Sequence, residues 1–398
     1  AAPLVVVCSP ETRSALEGTM PAGTELAVQE RPLGTGDAVA SARPTLEGLE
    51  GDLLVLAGDT PLLRTEVLQE LLEAHRRDEA AVTVLSFQPP DPRAYGRVVR
   101  DPDGGLSRIV EAADATPAEL AITEVNASIY VFRLPELWDA LARIDAANAQ
   151  GELYLTDAVR LLAADPRGGA VYVAPDQDDV EGVNTRVELA AAAGVLRERI
   201  LRRHMLDGVT VVDPGTTWIE PTVTIEADAV IEPYTCLRGR TVVRRGAVVG
   251  PHAVVIDAEV GNDALVGPFC YLRPGTVLED GSKAGAFVEI KNSRIGRGAK
   301  VPHQTYLGDA DVGEGSNIAA GNITANFPHQ PGQPKGRTSI GRNVRTGVHN
   351  SFIAPVTIGD EAWVGAGSTI TDDVPPHSLA IARARQVNKE RRDGDADD

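Results

Sequence analysis

Hydrophobic positions between residues 219 and 374 recur every six residues. Each repeat opens with an aliphatic residue and continues with small, acidic and turn-forming residues, as in the repeats that begin at Ile219, Ile225 and Ile231. The same register returns, with one interruption before Ile340, at Val243, Val249, Val260, Val266, Leu272, Leu278, Val301, Leu307, Val312, Ile318, Ile340, Phe352, Ile358, Val364 and Ile370. Neither a helix, with a period of about 3.6, nor a half-buried strand, with a period of about 2, explains this pattern. A six-residue period is typical of a parallel β-helix, whose stacked coils bury the aliphatic positions as an internal ladder.

The first 186 residues have a different pattern, in which short apolar runs alternate with helical segments. Strands are predicted at 4–8, 52–57, 81–87, 125–132 and 170–173, and helices at 36–43, 66–77, 135–147, 156–163 and 186–204. This alternation predicts an α/β domain around a mostly parallel sheet. We therefore predict an α/β domain over residues 1–186, a linker helix over 187–207, and a β-helix domain over 208–398 that ends in a polar tail.

The composition narrows the class of protein. The 398 residues carry a formal net charge of −19, which argues against general binding to nucleic acid or to a membrane surface. No apolar run is long enough to cross a bilayer. The three cysteines, Cys8, Cys236 and Cys270, have neither the spacing of a disulfide framework nor that of a metal site, which favours a reducing, cytoplasmic setting.

Gly58 and Asp59 directly follow one of the predicted buried strands. In open α/β sheets ligands bind at the carboxyl ends of the strands, where an Asp can hold Mg²⁺ against substrate phosphates. An Asp that only closes a strand is an equally good explanation when it stands alone. The segment 33–38 adds a turn of small residues at the start of a helix, where backbone N–H groups can meet an anion or a base edge. Such turns are common, so this segment by itself decides little.

Four further motifs follow in a fixed order: Tyr95-Gly96-Arg97, Val110-Glu111, Glu124-Val125-Asn126 and Val180-Glu181-Gly182-Val183-Asn184. In this order they resemble the nucleotidyltransferases that join a sugar 1-phosphate to a nucleoside triphosphate. Together with the β-helix, nearly the whole chain is similar to the bifunctional N-acetylglucosamine-1-phosphate uridylyltransferases / glucosamine-1-phosphate N-acetyltransferases. This resemblance implies a Rossmann-like first domain and a left-handed β-helix. The handedness comes from the resemblance alone, since the period does not determine it.

The resemblance assigns residues to uridylyl transfer. It implies that UTP and the product UDP-N-acetylglucosamine contact Gln29, Gly34, Thr35, Gly58, Asp59, Gly96, Glu111, Asn126 and Asn184. Asp59 and Asn184 are the implied ligands of Mg²⁺. The implied reaction is in-line attack of N-acetylglucosamine 1-phosphate on the α-phosphate of UTP, with release of pyrophosphate. Such a reaction depends on positioning and charge neutralisation more than on covalent groups of the protein.

The β-helix contains His303, whose side chain can titrate near neutral pH. A single His in a turn is most often a solvated surface residue, and isolated cations such as Arg273 and Lys291 most often form a solvated rim. Here these residues and Glu289 occur together at the spacing of the family. The resemblance makes His303 the general base for the amine of glucosamine 1-phosphate, Glu289 its orienting partner, and Arg273 and Lys291 the phosphate contacts. It also implies substrate contacts for Tyr306, Asn317 and Asn326 and acetyl-CoA contacts for Ala320, Phe327, Ala366 and Arg383.

The sequence departs from the family pattern in three places. The opening strand, the Gly-rich loop and the Pro-Lys pair of the family are not in this sequence, which begins at Ala1 where the second strand would lie. Because that segment supplies the triphosphate cradle, we expect uridylyl transfer by this chain to fail. The loop 327–339 is richer in proline than its family counterpart, and Val348 replaces a Ser, so both changes bear on the affinity for acetyl-CoA.

Two other functions are compatible with parts of the pattern. The protein could be an acetyltransferase only, with the α/β domain as a non-catalytic docking module. A structural β-helix without chemistry would instead show flat Thr ladders and no cluster around His303. We favour the bifunctional enzyme. A single rod is convex, so an acetyl-transfer site on it needs a wall from another subunit, and we expect a homotrimer.

Overall fold

The structure is a computed structural model that describes residues 3–134, 136–328 and 332–389. The chain divides into two compact units, Ala1–Ala193 and Gly194–Asp398, and α8 contains the boundary. The helices are α1 (Pro10–Leu16), α2 (Thr35–Ser41), α3 (Arg43–Leu46), α4 (Thr65–Arg77), α5 (Pro117–Leu120), α6 (Glu136–Leu141), α7 (Leu155–Ala163) and α8 (Arg186–Leu206). The strands of the first unit are β1 (Leu4–Cys8), β2 (Thr24–Val28), β3 (Gly51–Val55), β4 (Val82–Phe87), β5 (Arg97–Arg100), β6 (Leu106–Val110), β7 (Val125–Leu134) and β8 (Gly169–Val173).

The main sheet of the first unit is mixed, so the prediction of a mostly parallel sheet was wrong. Its strand order is β6-β5-β7-β4-β8, with β3 also paired to β7, and β1 and β2 form a separate parallel pair. The long strand β7 is antiparallel to β3, β4 and β5, while β4 and β8 are parallel. A short connection accounts for one antiparallel pair. Parallel neighbours need a crossover of a dozen or more residues, whereas β5 and β6 are joined by the turn 101–105.

The five predicted strands of this unit are confirmed to within two residues, because each begins or continues as an apolar run, and β4 and most of β7 are buried. The predicted helix 36–43 is divided between α2 and α3, and the predicted helix 135–147 ends at Leu141, with Pro135 outside the described residues. Helices α1 and α5 and strands β2, β5 and β6 were not predicted. Their apolar patterns are too short to separate from loops.

The second unit is a left-handed parallel β-helix, as the repeats and the family resemblance together predicted, and its strands form three faces. The first face contains β10 (Trp218–Ile219), β13 (Cys236–Arg238), β16 (Val254–Ile256), β19 (Tyr271–Leu272), β22 (Glu289–Lys291), β25 (Tyr306–Gly308), β27 (Ile323–Ala325), β30 (Ser351–Ile353) and β33 (Thr369–Ile370). The second face contains β11 (Thr224–Ile225), β14 (Val242–Val243), β17 (Glu259–Val260), β20 (Val277–Leu278), β23 (Arg294–Ile295), β26 (Ala310–Val312), β28 (Thr338–Ile340) and β31 (Val356–Ile358). The third face contains β9 (Thr210–Val211), β12 (Val230–Ile231), β15 (Val248–Val249), β18 (Leu265–Val266), β21 (Lys283–Ala286) and β24 (Lys300–His303), followed by β29 (Arg345–Thr346), β32 (Trp363–Val364) and β34 (Leu379–Ala380).

The aliphatic ladder predicted from the six-residue period is confirmed. Its members are at most 7% exposed, and Ile231, Leu272 and Leu307 are completely buried. They all belong to one continuous core. Each coil therefore contributes about three inward residues, and the outward residues between them are free to vary. This division explains why the repeat is visible in the sequence while the surface chemistry is not periodic.

Corners between the faces place residues of consecutive coils directly above one another. The corner from the third to the first face contains Phe287 and Gln304, and the corner from the first to the second face contains Asn292 and Asp309. All four residues have a positive φ, between 39° and 57°. The interruption of the repeats leaves the rod after Asn326, and residues 329–331 of this loop lie outside the described residues, as do residues 390–398 of the predicted tail. None of the helices in the described ranges is long and apolar enough to cross a membrane.

Candidate functional site

The first face of the β-helix collects most of the residues predicted for acetyl transfer. Glu289 lies in register with Tyr306 on the next coil and with Tyr271 on the previous one. Lys291 lies in register with Gly308, and the backbone N–H of Arg273 bonds to the carbonyl of Ile290 on the same pair of coils. Because outward positions stack from coil to coil, a carboxylate, two cations and a phenol occupy one small area. The sequence predicted their types, and the stacking brings them together.

Arg273 and Glu289 form an ion pair, with 2.8 Å between Nη1 of Arg273 and Oε1 of Glu289. Both side chains are about one-third exposed. The guanidinium of Arg273 also lies over the ring of Tyr271, 5.6 Å from its centroid. Glu289 thus holds Arg273 in the structure. Its predicted role as the partner of His303 stays a prediction.

Lys335, from the loop that interrupts the repeats, joins the cations of the first face. Its charge, followed by that of Arg273, lowers the pKa of Lys291. The ammonium of Lys335 lies 5.8 Å from the centroid of the Phe327 ring. Three positive side chains therefore stand together without an equal number of adjacent anions. Such a group is suited to a phosphate, whose oxygens accept charge-assisted hydrogen bonds from Arg and Lys.

Gly308 creates the space between Tyr306 and Asn326. A Cβ atom added to Gly308 would lie 2.3 Å from Oη of Tyr306 and 2.8 Å from Nδ2 of Asn326. The two polar groups therefore flank this glycine. Asn326 is 7% exposed, and its amide nitrogen donates to the carboxylate of Asp309. The residues predicted to position the substrate are thus packed closely enough to act on one ligand.

His303 ends β24 on the third face, one residue before the corner that leads to the first face. It is exposed and lies in register with Ala286 of the previous coil. The hydroxyl of Thr305 donates to the carbonyl of His303 at 2.7 Å, and the N–H of Glu289 donates to the carbonyl of Thr305 at 3.0 Å. These bonds fix the corner that carries the imidazole beside the coil of Glu289.

The residues predicted to contact acetyl-CoA continue along the same edge of the rod. Lys300, Asn317 and Arg345 lie in register, so the position of His303 is followed on the next coils by Ala320 and Val348. Arg345 is in turn paired with Trp363, which places Ala366 above Val348. Arg383 comes next, with its Cδ atom 3.9 Å from the position of a Cβ on Gly367. Small side chains therefore line a path from the imidazole to a cation.

Asn317 is the one predicted substrate contact that lies away from this group. It occupies the third face, between Lys300 and Arg345, and is half-exposed. The first and third faces of a triangular coil point in different directions. On one rod, Asn317 and Arg273 therefore cannot both reach the same small molecule.

In the first unit, Asp59 lies beside the segment that contains Asn184. The N–H of Val183 donates to the carbonyl of Asp59 at 2.8 Å, and the N–H of Gly182 donates to Oη of Tyr95 at 3.1 Å. A Cβ on Gly182 would lie 3.3 Å from Oδ2 of Asp59, so this glycine permits the close approach. Two segments separated by more than a hundred positions are thereby brought together, and the joint role of Asp59 and Asn184 stays a prediction.

The oxygen atoms of Asp59 and Asn184 fit a hard cation such as Mg²⁺. Within the described ranges, no group of three or more His, Cys, Asp or Glu side chains is arranged to hold a metal ion. A cation at Asp59 would therefore take one carboxylate and one amide oxygen from the protein, and its other ligands from water and phosphate. This sparse set of ligands is usual for Mg²⁺, which keeps several waters and binds substrate phosphates.

Gly96, Glu111 and Asn126 also come together. The N–H of Asn126 donates to the carbonyl of Gly96 at 2.9 Å, and a Cβ on Gly96 would lie 3.4 Å from Oε2 of Glu111. Burial raises the pKa of Glu111, although the hydroxyl of Thr156 donates to Oε1 at 3.0 Å and acts in the opposite sense. The amide nitrogen of Asn126 donates to Oη of Tyr130 at 2.6 Å. A half-buried carboxyl and a buried amide thus lie close to the same glycine.

Gln29, Gly34 and Thr35 form a third group. The amide of Gln29 donates to the carbonyl of Gly34 at 3.1 Å and to Asp37 at 2.8 Å. Oγ1 of Thr35 accepts from the N–H of Leu155 at 3.0 Å, which ties the loop to the start of α7. Gly34 has a φ of 120°, and a Cβ there would lie 2.6 Å from the carbonyl oxygen of Leu153, so only glycine fits. By contrast, a Cβ on Gly58 would meet no atom within 4 Å.

Sequence reasoning did not single out three residues that the structure places in these groups: Asp309, Tyr130 and Thr156. Lys335, from the loop 327–339, joins the cation cluster as well. A signal existed for Asp309. Asn292, Asp309 and Asn326 are spaced by 17 residues, which is the length of a coil in this region. Tyr130 and Thr156 gave no such signal, because their contacts depend on the packing of β7 and α7.

Comparison with known proteins supports both halves of this description. Residues 2–180 match the nucleotidyl transferase family. A protein from Thermobifida fusca called bifunctional protein GlmU is 47% identical over 380 residues, covering 90% of this chain and 78% of the relative. Relatives of the same name from Geobacillus thermodenitrificans and Mycobacterium bovis are 44% and 47% identical, covering 92% and 94% of this chain and 83% and 79% of their own lengths. Since these matches run through both units, the chain belongs to the bifunctional GlmU family.

Proposed function

We propose that the β-helix transfers the acetyl group of acetyl-CoA to the amine of glucosamine 1-phosphate, and that the α/β unit binds UTP and N-acetylglucosamine 1-phosphate for uridylyl transfer. Together these are the two steps to UDP-N-acetylglucosamine. The observation that carries the first assignment is the cluster of Arg273, Lys291 and Lys335 on the first face, which follows the corner of His303 along the coil. The proposal combines this phosphate site with the imidazole at the beginning of the same face.

The chemistry follows from this arrangement. The three cations hold the phosphate of glucosamine 1-phosphate, and Tyr306 and Asn326 contact the sugar. His303 removes a proton from the ammonium group or from the attacking amine, whose lone pair then forms the new C–N bond at the thioester carbonyl. The C–S bond breaks, and coenzyme A leaves as the thiolate or thiol. A positioned general base contributes typically 10²–10⁴-fold to such a step, as an order-of-magnitude estimate.

The edge above His303 fits the extended arm of acetyl-CoA. Coils of a parallel β-helix are spaced by roughly 4.8 Å, so Arg383, four coils from His303, lies about 19 Å along the edge. The small residues Ala320 and Ala366 leave space for the arm, and Arg383 offers a charge to a phosphate at its far end. Phe327, which is 75% exposed, is proposed as an apolar contact of acetyl-CoA.

A homotrimer would complete this site. Asn317 lies on the third face, whereas Arg273 and Tyr306 lie on the first, so one rod presents the predicted contacts in two directions. A second copy packed alongside would bring its own third face toward the first face of its neighbour. Closed rings of identical subunits achieve this with one repeated interface.

The proposal also places the protein in the cytoplasm, where acetyl-CoA and UTP are available and unpaired cysteines stay reduced.

For the α/β unit, Gly96, Glu111 and Asn126 are proposed to bind the sugar, and Gln29, Gly34 and Thr35 the uridine. Gly58 would leave open space beside them. Asp59 and Asn184 would hold Mg²⁺, which supplies charge neutralisation at the phosphates. Binding of UDP-N-acetylglucosamine should require Mg²⁺ and should weaken by roughly 10-fold or more in Asp59→Asn, since a charged ligand is lost. Equal binding with and without Mg²⁺ would contradict this assignment.

Release of coenzyme A in the presence of acetyl-CoA and an amino sugar tests the first assignment. Glucosamine 1-phosphate should be acetylated, while unphosphorylated glucosamine should react far more slowly because it lacks the group that the cations bind. Lys291→Ala should raise the KM for glucosamine 1-phosphate by roughly 10-fold, and Lys283→Ala on the third face should not. Equal rates with both sugars would overturn the proposed phosphate site.

A further inference from the structure

Asp309 is a buried carboxylate at the corner that closes the first face. It is 8% exposed and accepts hydrogen bonds from two amides, Asn292 on the previous coil at 2.5 Å and Asn326 on the next. Burial by itself would raise the pKa of Asp309, but these hydrogen bonds and the charges of Lys335 and Lys291 hold it below its ordinary value. The carboxylate is therefore ionised at neutral pH.

An ionised carboxylate only accepts hydrogen bonds, which fixes the orientation of its neighbours. The amide of Asn326 must turn its nitrogen toward Asp309, so its oxygen stays available as an acceptor. Nδ2 of Asn326 and Oη of Tyr306 both lie close to Gly308. With a neutral partner at position 309, the amide of Asn326 would be free to rotate by half a turn and present N–H groups instead.

We propose that Asp309 is a positioning residue for acetyl transfer, which keeps the oxygen of Asn326 directed at a donor group of the amino sugar, its amine or a hydroxyl. The inference rests on the proposed acetyltransferase function and goes beyond it, because Asp309 acts through Asn326 and does not touch the substrate. Its negative charge also balances Lys291 and Lys335, which keeps these two cations together before the phosphate arrives.

The alternative role for Asp309 is only to shape the corner of the coil. Positions with a positive φ favour Asn, Asp and Gly, and the same column contains Asp257 and Asn292, with φ values of 46° at both, compared with 50° at Asp309. Asp257 accepts a bond from the backbone N–H of Arg240 at 2.8 Å and has no place in the candidate site. A residue that only shapes the corner should behave like Asp257.

The test compares Asp309→Asn with Asp257→Asn, a corner residue outside the candidate site, in the whole chain. We expect Asp309→Asn to raise the KM for glucosamine 1-phosphate by roughly 10-fold, the usual effect of losing a hydrogen bond to a charged group. The KM for acetyl-CoA should stay within about 2-fold, and Asp257→Asn should not change the KM for the sugar by more than about 3-fold. Asp309→Asn combined with Asn326→Ala should add little to Asn326→Ala alone, because both changes remove one coupled interaction.

Two outcomes would overturn the inference. One is an unchanged KM for the sugar in Asp309→Asn when the wild type is active. The other is an equal rise in the KM for both substrates in Asp309→Asn, with a Tm lowered as in Asp257→Asn, which is what a corner residue would give. If Asp309→Asn does not fold, Asp309→Glu keeps the charge but displaces Asn326, and it should show the same selective rise in KM. A wild type without acetyl transfer would instead refute the proposed function.

Discussion

Arg273 and Glu289 form an ion pair between consecutive coils of the β-helix, with 2.8 Å between Nη1 and Oε1. The sequence assigned them to different tasks, one to the phosphate and one to His303. The ion pair leaves Arg273 able to bind the phosphate. Glu289 accepts one hydrogen bond from a guanidinium that has five N–H donors, so Arg273 keeps donors for a phosphate. The pair also holds Arg273 over Tyr271, in the area where Lys291 and Lys335 lie.

Removal of Arg273 should weaken binding of the phosphorylated sugar. We expect Arg273→Ala to raise the KM for glucosamine 1-phosphate by roughly 10-fold or more, because a charge-assisted contact is lost and Glu289 is left unpaired beside the phosphate. The matched control is Arg294→Ala, which removes a similar ion pair with Glu279 from the second face. Similar KM values for the two variants would mean that Arg273 does not bind the substrate.

Gly308 should tolerate no side chain. A Cβ atom would lie 2.3 Å from Oη of Tyr306 and 2.8 Å from the amide of Asn326, so Gly308→Ala must displace at least one of them. We expect a loss of acetyl transfer of roughly 100-fold, the scale of a misplaced substrate, in a protein whose circular dichroism is unchanged. Gly194→Ala is the control, because a Cβ there meets no atom within 4 Å. Wild-type activity in Gly308→Ala would contradict the described site.

Ionisation of Glu111 should lower the stability of the first unit at neutral pH. Burial raises its pKa in the folded protein above the value in the unfolded chain. The folded state then binds the proton more tightly, so ionisation lowers stability as the pH rises through the folded pKa. Glu111→Gln avoids this cost and should have a higher Tm than the wild type at pH 7.

The difference between Glu111→Gln and the wild type should shrink as the pH falls below the pKa of an unfolded Glu, about 4.3. Exposed Glu25 is the control, and Glu25→Gln should leave the Tm nearly unchanged at both pH values. A lower Tm for Glu111→Gln at pH 7 would show that the carboxylate is stabilising, contrary to the account. A charged carboxyl kept in a pocket at the expense of stability points to a use in binding.

Arg64 should be a major contributor to the stability of the first unit. It makes two hydrogen bonds to Asp179, at 2.8 Å and 2.6 Å, and the side chain of Asp179 is completely buried. Arg64→Ala removes two hydrogen bonds from a buried carboxylate, which should cost about 2 kcal/mol or more in chemical denaturation. Arg13→Ala breaks an exposed pair with Glu17 and should cost about 0.5 kcal/mol or less. Equal losses would show that Asp179 is compensated elsewhere.

The β-helix was predictable because its signal is local. Each coil must bury its own aliphatic residues. Residues such as Leu272 and Leu307 therefore recur with a six-residue period that is visible in the sequence. The first unit was less predictable. Its mixed sheet includes a hairpin formed by Arg97–Arg100 and Leu106–Val110. Such short strands have no distinctive apolar pattern in the sequence. Where long apolar runs exist, as in Val125–Leu134, the prediction held.

The site was predictable in its residue types and less so in its contacts. Lys335 lies near Lys291 only because of the path of the loop that interrupts the repeats. The six-residue period does not predict the path of such a loop. Glu289 was expected beside His303, but its pairing with Arg273 depends on side-chain conformations across two coils. The role of Asp309 was visible in principle, since residues 17 positions apart on a β-helix stack directly.

The central claim is that His303 is the general base of acetyl transfer, and His303→Ala tests it most directly. Acetylation of glucosamine 1-phosphate and binding of UDP-N-acetylglucosamine should be measured on the same preparation, with His252→Ala as control. His252 is stacked between Tyr234 and Phe269 on the same edge of the rod, away from the cations. We expect His303→Ala to lose acetyl transfer by about 10²–10⁴-fold, with nucleotide binding unchanged. Acetyl transfer in His303→Ala within a few-fold of that of His252→Ala would contradict the central claim.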